Sequence, residues 1–168
     1  MPEAQFRISP VRSDEDLAAA VGLFRAYAAS LGVDLAYQDF EGELASMPGK
    51  YAPPSGGLLL ARSPDGTPLG CVALRAIAPD GCCEMKRLYV VPQARGTGLG
   101  RALVDEILEL AVAIGYRELR LDTLPSMIDA QALYARLGFA PIDPYYETPI
   151  AGTVFMARAL GQDHDGTR

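Results

Sequence analysis

Histidine is nearly absent from this chain of 168 residues: its one copy, His164, sits in the polar C-terminal run GQDHDGTR. Triads built on histidine and His-rich metal sites are thereby excluded unless that tail folds back. Cysteine is scarce too. Cys71, Cys82 and Cys83 form no C-x-x-C pair, and an odd count with two adjacent members makes a poor disulfide framework, so they are expected to be reduced packing residues. No run of about 18 uncharged apolar residues exists to span a membrane, and the opening MPEAQFRISP lacks the basic-then-apolar order of a secretion signal. Positive charge is in deficit, with 21 acids against 15 bases and a net charge of −6. A general nucleic-acid or anionic-membrane binder is argued against on that ground. No repeat of period 20 to 50 is found. What remains is an ordinary globular composition, 49% hydrophobic and 21% charged, in a length that suits one domain. The expectation is a cytoplasmic protein with one domain over 4–160 and a flexible tail over 161–168.

The hydrophobic pattern gives an element order. FRISPVR reads as an edge strand interrupted by Pro10. Ser13 with Asp16 reads as a capping box opening an amphipathic helix through Leu17, Val21, Phe24, Ala28 and Leu31. DLAYQDFEGELASM suggests a shorter second helix, ended by Pro48 and Gly49. GLLLAR, PLGCVALRAI and CCEMKRLYVV then read as three antiparallel strands joined by the tight turns SPDG and PDG. From Gly98 a helix with Leu99, Leu103, Ile107, Leu110 and Ile114 on one face runs to a stop at Gly115. YRELRLDT supplies another strand, Ser126 with Asp129 reads as a second capping box for a helix stopping at Gly138, and GTVFMARAL is the final strand.

The strand-to-helix join PQARGTGLGR is the most informative stretch. Glycines at 96, 98 and 100 let an anion approach main-chain N–H groups at the positive end of a helix, and Arg95 and Arg101 add charge. Between residues 84 and 101, Lys86, Arg87, Arg95 and Arg101 face only Glu84. The spacing matches neither G-x-x-x-x-G-K-[ST] nor G-x-G-x-x-G. Asp122 could mimic the acidic ribose partner of a dinucleotide site, but the preceding antiparallel strands contradict the parallel unit such a site requires. The competing reading is that the glycines do no more than make a tight turn.

The run Gln93-Ala-Arg95-Gly96-Thr97-Gly98 before a helix, after the strand Glu84 to Val90, resembles the acyl-CoA-binding motif of the GNAT N-acetyltransferases. Residues 130–139, AQALYARLGF, are similar to the segment that in this family places a tyrosine beside the thioester. The two motifs span about 84–139, and the remaining element order also resembles the family's. The resemblance implies an α/β fold with a central, mostly antiparallel twisted sheet of six to seven strands flanked by about four helices, and acetyl-CoA as cofactor. It places the cofactor on Leu88, Tyr89, Val90, Gln93, Arg95, Gly96, Thr97, Gly98, Leu99, Gly100 and Arg101. The family often has asparagine seven residues before the tyrosine, where this chain has Met127.

Acetyl transfer from a thioester to an amine needs a neutral nucleophile, an oxyanion donor and a proton for the thiolate. Glu84, which shares strand parity with Lys86, Leu88 and Val90, is the candidate general base. An ammonium near pKa ~10 against a carboxylate near ~4.3 calls for a water relay or a raised Glu84 pKa. The competing reading ties Glu84 to Lys86 or a neighbouring strand in a surface salt bridge. Tyr134 is the candidate general acid, against a packed core tyrosine. The resemblance implies an oxyanion donor among the backbone N–H groups of Leu88 to Val90, with a bulge and splaying of two strands there. Tyr37, Tyr51, Tyr145 and Tyr146, with Asp39, Glu41 or Glu147, are the candidate lining of a pocket for a small cationic amine, against simple loop packing. A peptide or protein acceptor, a non-catalytic acyl-CoA sensor and, further off, a nicotinamide-binding module remain alternatives. An exposed strand edge would permit a homodimer.

Overall fold

A computed structural model describes residues 5–161; the tail over 162–168, with His164, lies outside them. Seven strands, β1 (Arg7–Pro10), β2 (Gly57–Arg62), β3 (Pro68–Ile77), β4 (Cys82–Val90), β5 (Glu118–Thr123), β6 (Ala140–Ile142) and β7 (Val154–Ala159), form one sheet in the order β1-β2-β3-β4-β5-β7-β6. Every neighbouring pair is antiparallel except β4 with β5. Four helices, α1 (Asp14–Ser30), α2 (Phe40–Ala45), α3 (Leu99–Ile114) and α4 (Ile128–Arg136), complete the expected fold class.

Apolar side chains on both faces of β2 and β3 explain why their sequences read as runs rather than alternations. Leu58, Leu60, Cys71 and Ala73 pack with Phe24 of α1, Phe40 of α2 and Tyr51. Leu59, Val72 and Leu74 pack with Leu103, Val104 and Ile107 of α3 on the other face. Each fully buried Leu or Ile contributes roughly 1.5–3 kcal/mol, so α3 is the main clamp on that face. Its buried stripe is Leu99, Leu103, Val104, Ile107, Leu108 and Ala111, with Leu110 and Ile114 at its rim.

Three local expectations are corrected. The second helix is broken at Asp39, whose left-handed backbone (φ 55°) separates a 3-10 turn at Leu35–Gln38 from α2. Aspartate tolerates that conformation better than most residues. The Ser126 capping box does not form: α4 is entered through Met127 without a side-chain cap, and Gln131 Nε2 donates to the Leu124 carbonyl instead (2.9 Å). The Ser13 hydroxyl does accept from Asp16 N–H (3.0 Å), but Asp16 reaches back to the N–H of Arg12, not of Ser13. Strand β6, three residues long, had no pattern of its own to announce it. Among the described residues no helix is long and apolar enough to cross a membrane.

Candidate active site

The parallel pairing of β4 with β5 covers only Cys82–Glu118, Cys83–Leu119 and Glu84–Arg120, after which the strands part. Parting is driven from β4. Between Lys86, which pairs with Ala73, and Tyr89, which pairs with Cys71, the register slips by one residue, and Arg87 takes φ 61°. Such a bulge places two residues against one and turns the strand. A positive φ on a long side chain costs on the order of 1–3 kcal/mol, so something must hold it. Glu43 of α2 does: Arg87 Nη2 donates to Oε1 (2.7 Å) and Nε to Oε2 (3.0 Å). The rings of Phe40 and Tyr27 lie 5.2 and 5.8 Å from the guanidinium. Tyr51 adds a hydrogen bond from its hydroxyl to Glu43 Oε2 (3.0 Å). Burial pushes the Glu43 carboxyl up, and the Arg87 hydrogen bonds and charge, with Tyr51, outweigh it and hold it below its ordinary value.

The parted strands enclose a narrow cavity of about 30 Å³. Its walls are Met85, Lys86, Arg87 and Leu88 of β4, Leu121, Asp122 and Thr123 of β5, Tyr134 of α4, and Tyr27 and Gln38 from the helical face. Lys86 is 9% exposed; its Nζ donates to Gln38 Oε1 (3.3 Å) and lies 3.9 Å from Asp122 Oδ1. The Tyr146 hydroxyl donates to Asp122 Oδ2. Burial pulls the Lys86 ammonium below its usual value, opposed by the charges of Glu84 and Asp122. Burial pushes the Tyr134 phenol up, and its ring packs on Phe139 at 5.8 Å. Thr123 Oγ1 is a buried side-chain atom with no hydrogen-bond partner among the described residues. A buried hydroxyl left so is costly unless a ligand completes it.

Beyond the cavity β4 runs into a one-turn 3-10 segment, Pro92–Ala94, and then the glycine loop. Gly96 and Gly98 have φ of 82° and 88°, and a Cβ at either would meet nothing within 4 Å. These two glycines are present for backbone conformation and leave open space above the main chain. Gly98 caps α3 with no side-chain acceptor, which leaves the first N–H groups of the helix without a side-chain cap among the described residues. Arg95 Nε donates to the Val90 carbonyl (3.0 Å) and its guanidinium lies 5.8 Å from the Tyr89 ring, while Arg101 is exposed beside Asp105 (3.8 Å). An open N-terminus with main-chain donors, next to a cavity holding an orphaned hydroxyl, is the cradle a pyrophosphate and an amide-bearing chain would fit. Among the described residues no group of three or more His, Cys, Asp or Glu side chains is placed to hold a metal ion.

The profile of the Acetyltransferase (GNAT) family matches residues 33–139 of this chain. A protein of Schizosaccharomyces pombe, named an uncharacterized N-acetyltransferase, is 43% identical over 93% of this chain and 96% of its own length. The chain belongs to the GNAT acetyltransferase family. Among solved structures, a GNAT-family acetyltransferase of Staphylococcus aureus superposes with a TM-score of 0.78 at 18% identity, covering 93% of this chain and 99% of that one. A GNAT phosphinothricin acetyltransferase of Sinorhizobium meliloti, in complex with acetyl-CoA, does so with a TM-score of 0.71 at 20% identity, over 94% and 90% of the two chains. At those identities the likeness is one of fold.

Against this GNAT framework the candidate residues fall into three groups. Gln93, Arg95, Gly96, Thr97, Gly98, Gly100 and Arg101 line the loop and helix start; Leu99 is buried in the core, so only its amide faces the loop. Leu88 and Tyr134 line the cavity. The bulge overturns the shared parity of Glu84 with Leu88 and Val90: those two pack toward α3, whereas Tyr89 packs toward α1. Glu84 is buried (1% exposed) and forms the ion pair with a neighbouring strand that the competing reading expected, with Arg75 of β3 (2.8 Å), although its own carboxylate lies inside and not at the surface. Its Oε1 accepts from Arg75 Nε (2.8 Å), its Oε2 accepts from the Tyr145 hydroxyl (2.7 Å), and it is not part of the cavity wall.

The four tyrosines do not form one pocket. Tyr51 is a core residue, edge-on to Phe24 at 6.1 Å with its hydroxyl on Glu43. Tyr145 and Tyr146 pack edge-to-face on Phe155, and their hydroxyls donate to Glu84 and Asp122. The Tyr37 side chain lies outside the described residues. Asp39, Glu41 and Glu147 are exposed and absent from the cavity wall.

Lys86, Asp122, Thr123 and the Arg87–Glu43 clamp are what sequence reading left without a role in catalysis. A signal for part of this existed. Charges stand at alternate positions of two adjacent strands, Glu84 and Lys86 on β4 and Arg120 and Asp122 on β5, which is the mark of a polar stripe crossing a sheet.

Proposed function

We propose that this chain is an acetyl-CoA-dependent N-acetyltransferase that passes the acetyl group directly to a primary amine through a tetrahedral intermediate. The observation that carries the reading is the parting of β4 from β5 beside the glycine loop. When bound, acetyl-CoA supplies the activated thioester. The N–H groups at the start of α3, with Arg95 and Arg101, hold the pyrophosphate. The main chain after the Arg87 bulge supplies the oxyanion donor, and the Glu43 clamp fixes it before the substrate arrives. Tyr134, kept protonated by burial, donates a hydrogen bond to the departing sulfur. Glu84 is retained as the base by relay, with the Tyr145 hydroxyl bonded to it, and Asp122 is the carboxylate on the cavity wall itself. For a small cationic acceptor, Asp122 is therefore the group an ammonium approaches. The buried cysteines, all free, support a cytoplasmic setting, and the edge strands β1 and β6 are where a homodimer would pair.

Calorimetric titration with acetyl-CoA and with NAD, followed by thiol release against a panel of amines on the same sample, tests the reading. Micromolar acetyl-CoA binding with amine-dependent release is expected. Binding without release against every amine and peptide would favour the non-catalytic sensor, and no binding would end the argument from the loop.

A further inference from the structure

Lys50 and Lys86 are the two lysines of a chain that otherwise places thirteen arginines at its basic positions. The other bases around the cleft, Arg75, Arg87 and Arg120, are arginines held by carboxylates at 2.7–3.0 Å, a side chain that never gives up its proton. Lys86 differs in kind. It stands on the cavity wall with Tyr134, Thr123 and the bulge, its ion pair with Asp122 is long (3.9 Å), and it donates a hydrogen bond to the neutral amide of Gln38 (3.3 Å). Burial, helped by the charges of Arg87 and Arg75, pulls its ammonium below the ordinary value against the opposing charges of Glu84 and Asp122. Lys50 is exposed, on a 3-10 turn, and no part of this wall. An arginine at 86 would serve an ion pair better, and lysine alone brings a nucleophile to the place where the proposed thioester lies.

We infer that Lys86 is a self-acetylation site of this protein, modified from bound acetyl-CoA when no acceptor amine occupies the cleft. The inference rests on the transferase reading above. In the step, Nζ in its neutral form makes a bond to the acetyl carbonyl carbon and the carbon–sulfur bond breaks. The proton lost from Nζ goes to the thiolate, with Asp122 and Tyr134 as the neighbouring groups able to pass it. The products are N-acetyl-lysine and free CoA thiol, with nothing oxidised or reduced. The modification removes the charge facing Asp122 and fills a narrow cavity with an amide, so it shuts the site. An acceptor amine protects by competing for the same acetyl group.

The full chain is incubated with carbon-13-labelled acetyl-CoA and no amine, and intact mass and peptide mapping follow the label while titration on the same sample reads acetyl-CoA binding. One acetyl per chain is expected, on Lys86, at least tenfold faster than on Lys50. It should persist in K50R and be absent in K86R. Intact binding with no label, label on Lys50 alone, or equal rates at the two lysines would overturn the inference while leaving the transferase reading untouched. Absent binding would overturn both. Because the wild-type chain carries the internal comparison with Lys50, the result stands whether or not K86R folds.

Discussion

The glycine loop and the cleft are neighbours on one strand and opposites in construction. The loop presents main-chain N–H groups to open space, with no side chain over Gly96 or Gly98 and its arginines exposed or laid along the backbone. The charged side chains of the cleft already have partners, Arg87 with Glu43, Lys86 with Asp122, and behind it Glu84 with Arg75 and Tyr145, while the Thr123 hydroxyl on the wall has none among the described residues. A main-chain site costs little to keep open, because α3 holds it by its own hydrogen bonds and buried face. A charged cleft must be pre-paired, since each unpaired charge in it would carry a desolvation penalty of several kcal/mol. The difference predicts that damage to the loop is felt as lost affinity, and damage to the cleft as lost turnover or lost stability.

The largest test of that division is Arg87→Met, which strands Glu43 in a buried site and removes the clamp on a left-handed backbone. Unfolding in urea should show a loss of about 3–5 kcal/mol, and a loss below about 1 kcal/mol would mean that the bulge holds itself. Tyr134→Phe should lower kcat by about a hundredfold while leaving the acetyl-CoA dissociation constant within about twofold. The reverse split would move Tyr134 from chemistry to binding. Gly98→Ala puts a Cβ on a backbone at φ 88°, strain of about 1–2 kcal/mol, and should raise the acetyl-CoA dissociation constant by about tenfold with saturated kcat within about threefold. Arg101→Ala should weaken acetyl-CoA binding only about two- to fivefold, an effect that fades as salt is added, because the side chain is exposed.

The smallest effect is on the acid limb of stability. Glu43 has its folded value held below the ordinary 4.5, so the unfolded chain takes up that proton first as pH falls. Its contribution is complete above about pH 4.5 and is lost as pH drops through the folded value. Thermal melts between pH 5 and pH 3 should show a shallower fall for Glu43→Gln than for the wild type, and parallel curves would remove Glu43 from the acid response.

What could be read in advance follows the same line between main chain and side chain. Gly96, Gly98 and Gly100 announce the loop because a backbone need is written locally, in residues that tolerate a positive φ. The meander β2–β3–β4 and the stripe of α3 were legible for a similar reason, since turn residues and helical spacing act over a few positions. The bulge and the parting of the strands were expected from the family resemblance alone, and the register shift bears them out; the residues themselves did not announce them, because nothing in K-R-L-Y marks a left-handed residue and Arg87 depends on Glu43, far back in the sequence. The fate of Glu84 turns on Arg75 across one strand and Tyr145 across the sheet, partners set by register. Tyr51 misled in the same way: aromatic and near an acid, it looked like pocket lining, and it is a core side chain whose hydroxyl props the clamp.

The three-residue pairing of β4 with β5 has a further meaning when the chain is followed from end to end. Apart from that pairing, strands β1 to β4, over residues 7–90, pair among themselves, and β5, β6 and β7, over residues 118–159, do likewise. The sheet is two successive lengths of polypeptide sewn together by one short seam and the helices packed across it. The cleft belongs to neither length. Local opening of either one erases it while the hydrogen bonds of the other stay closed, so occupancy of this site reports on the integrity of the whole chain.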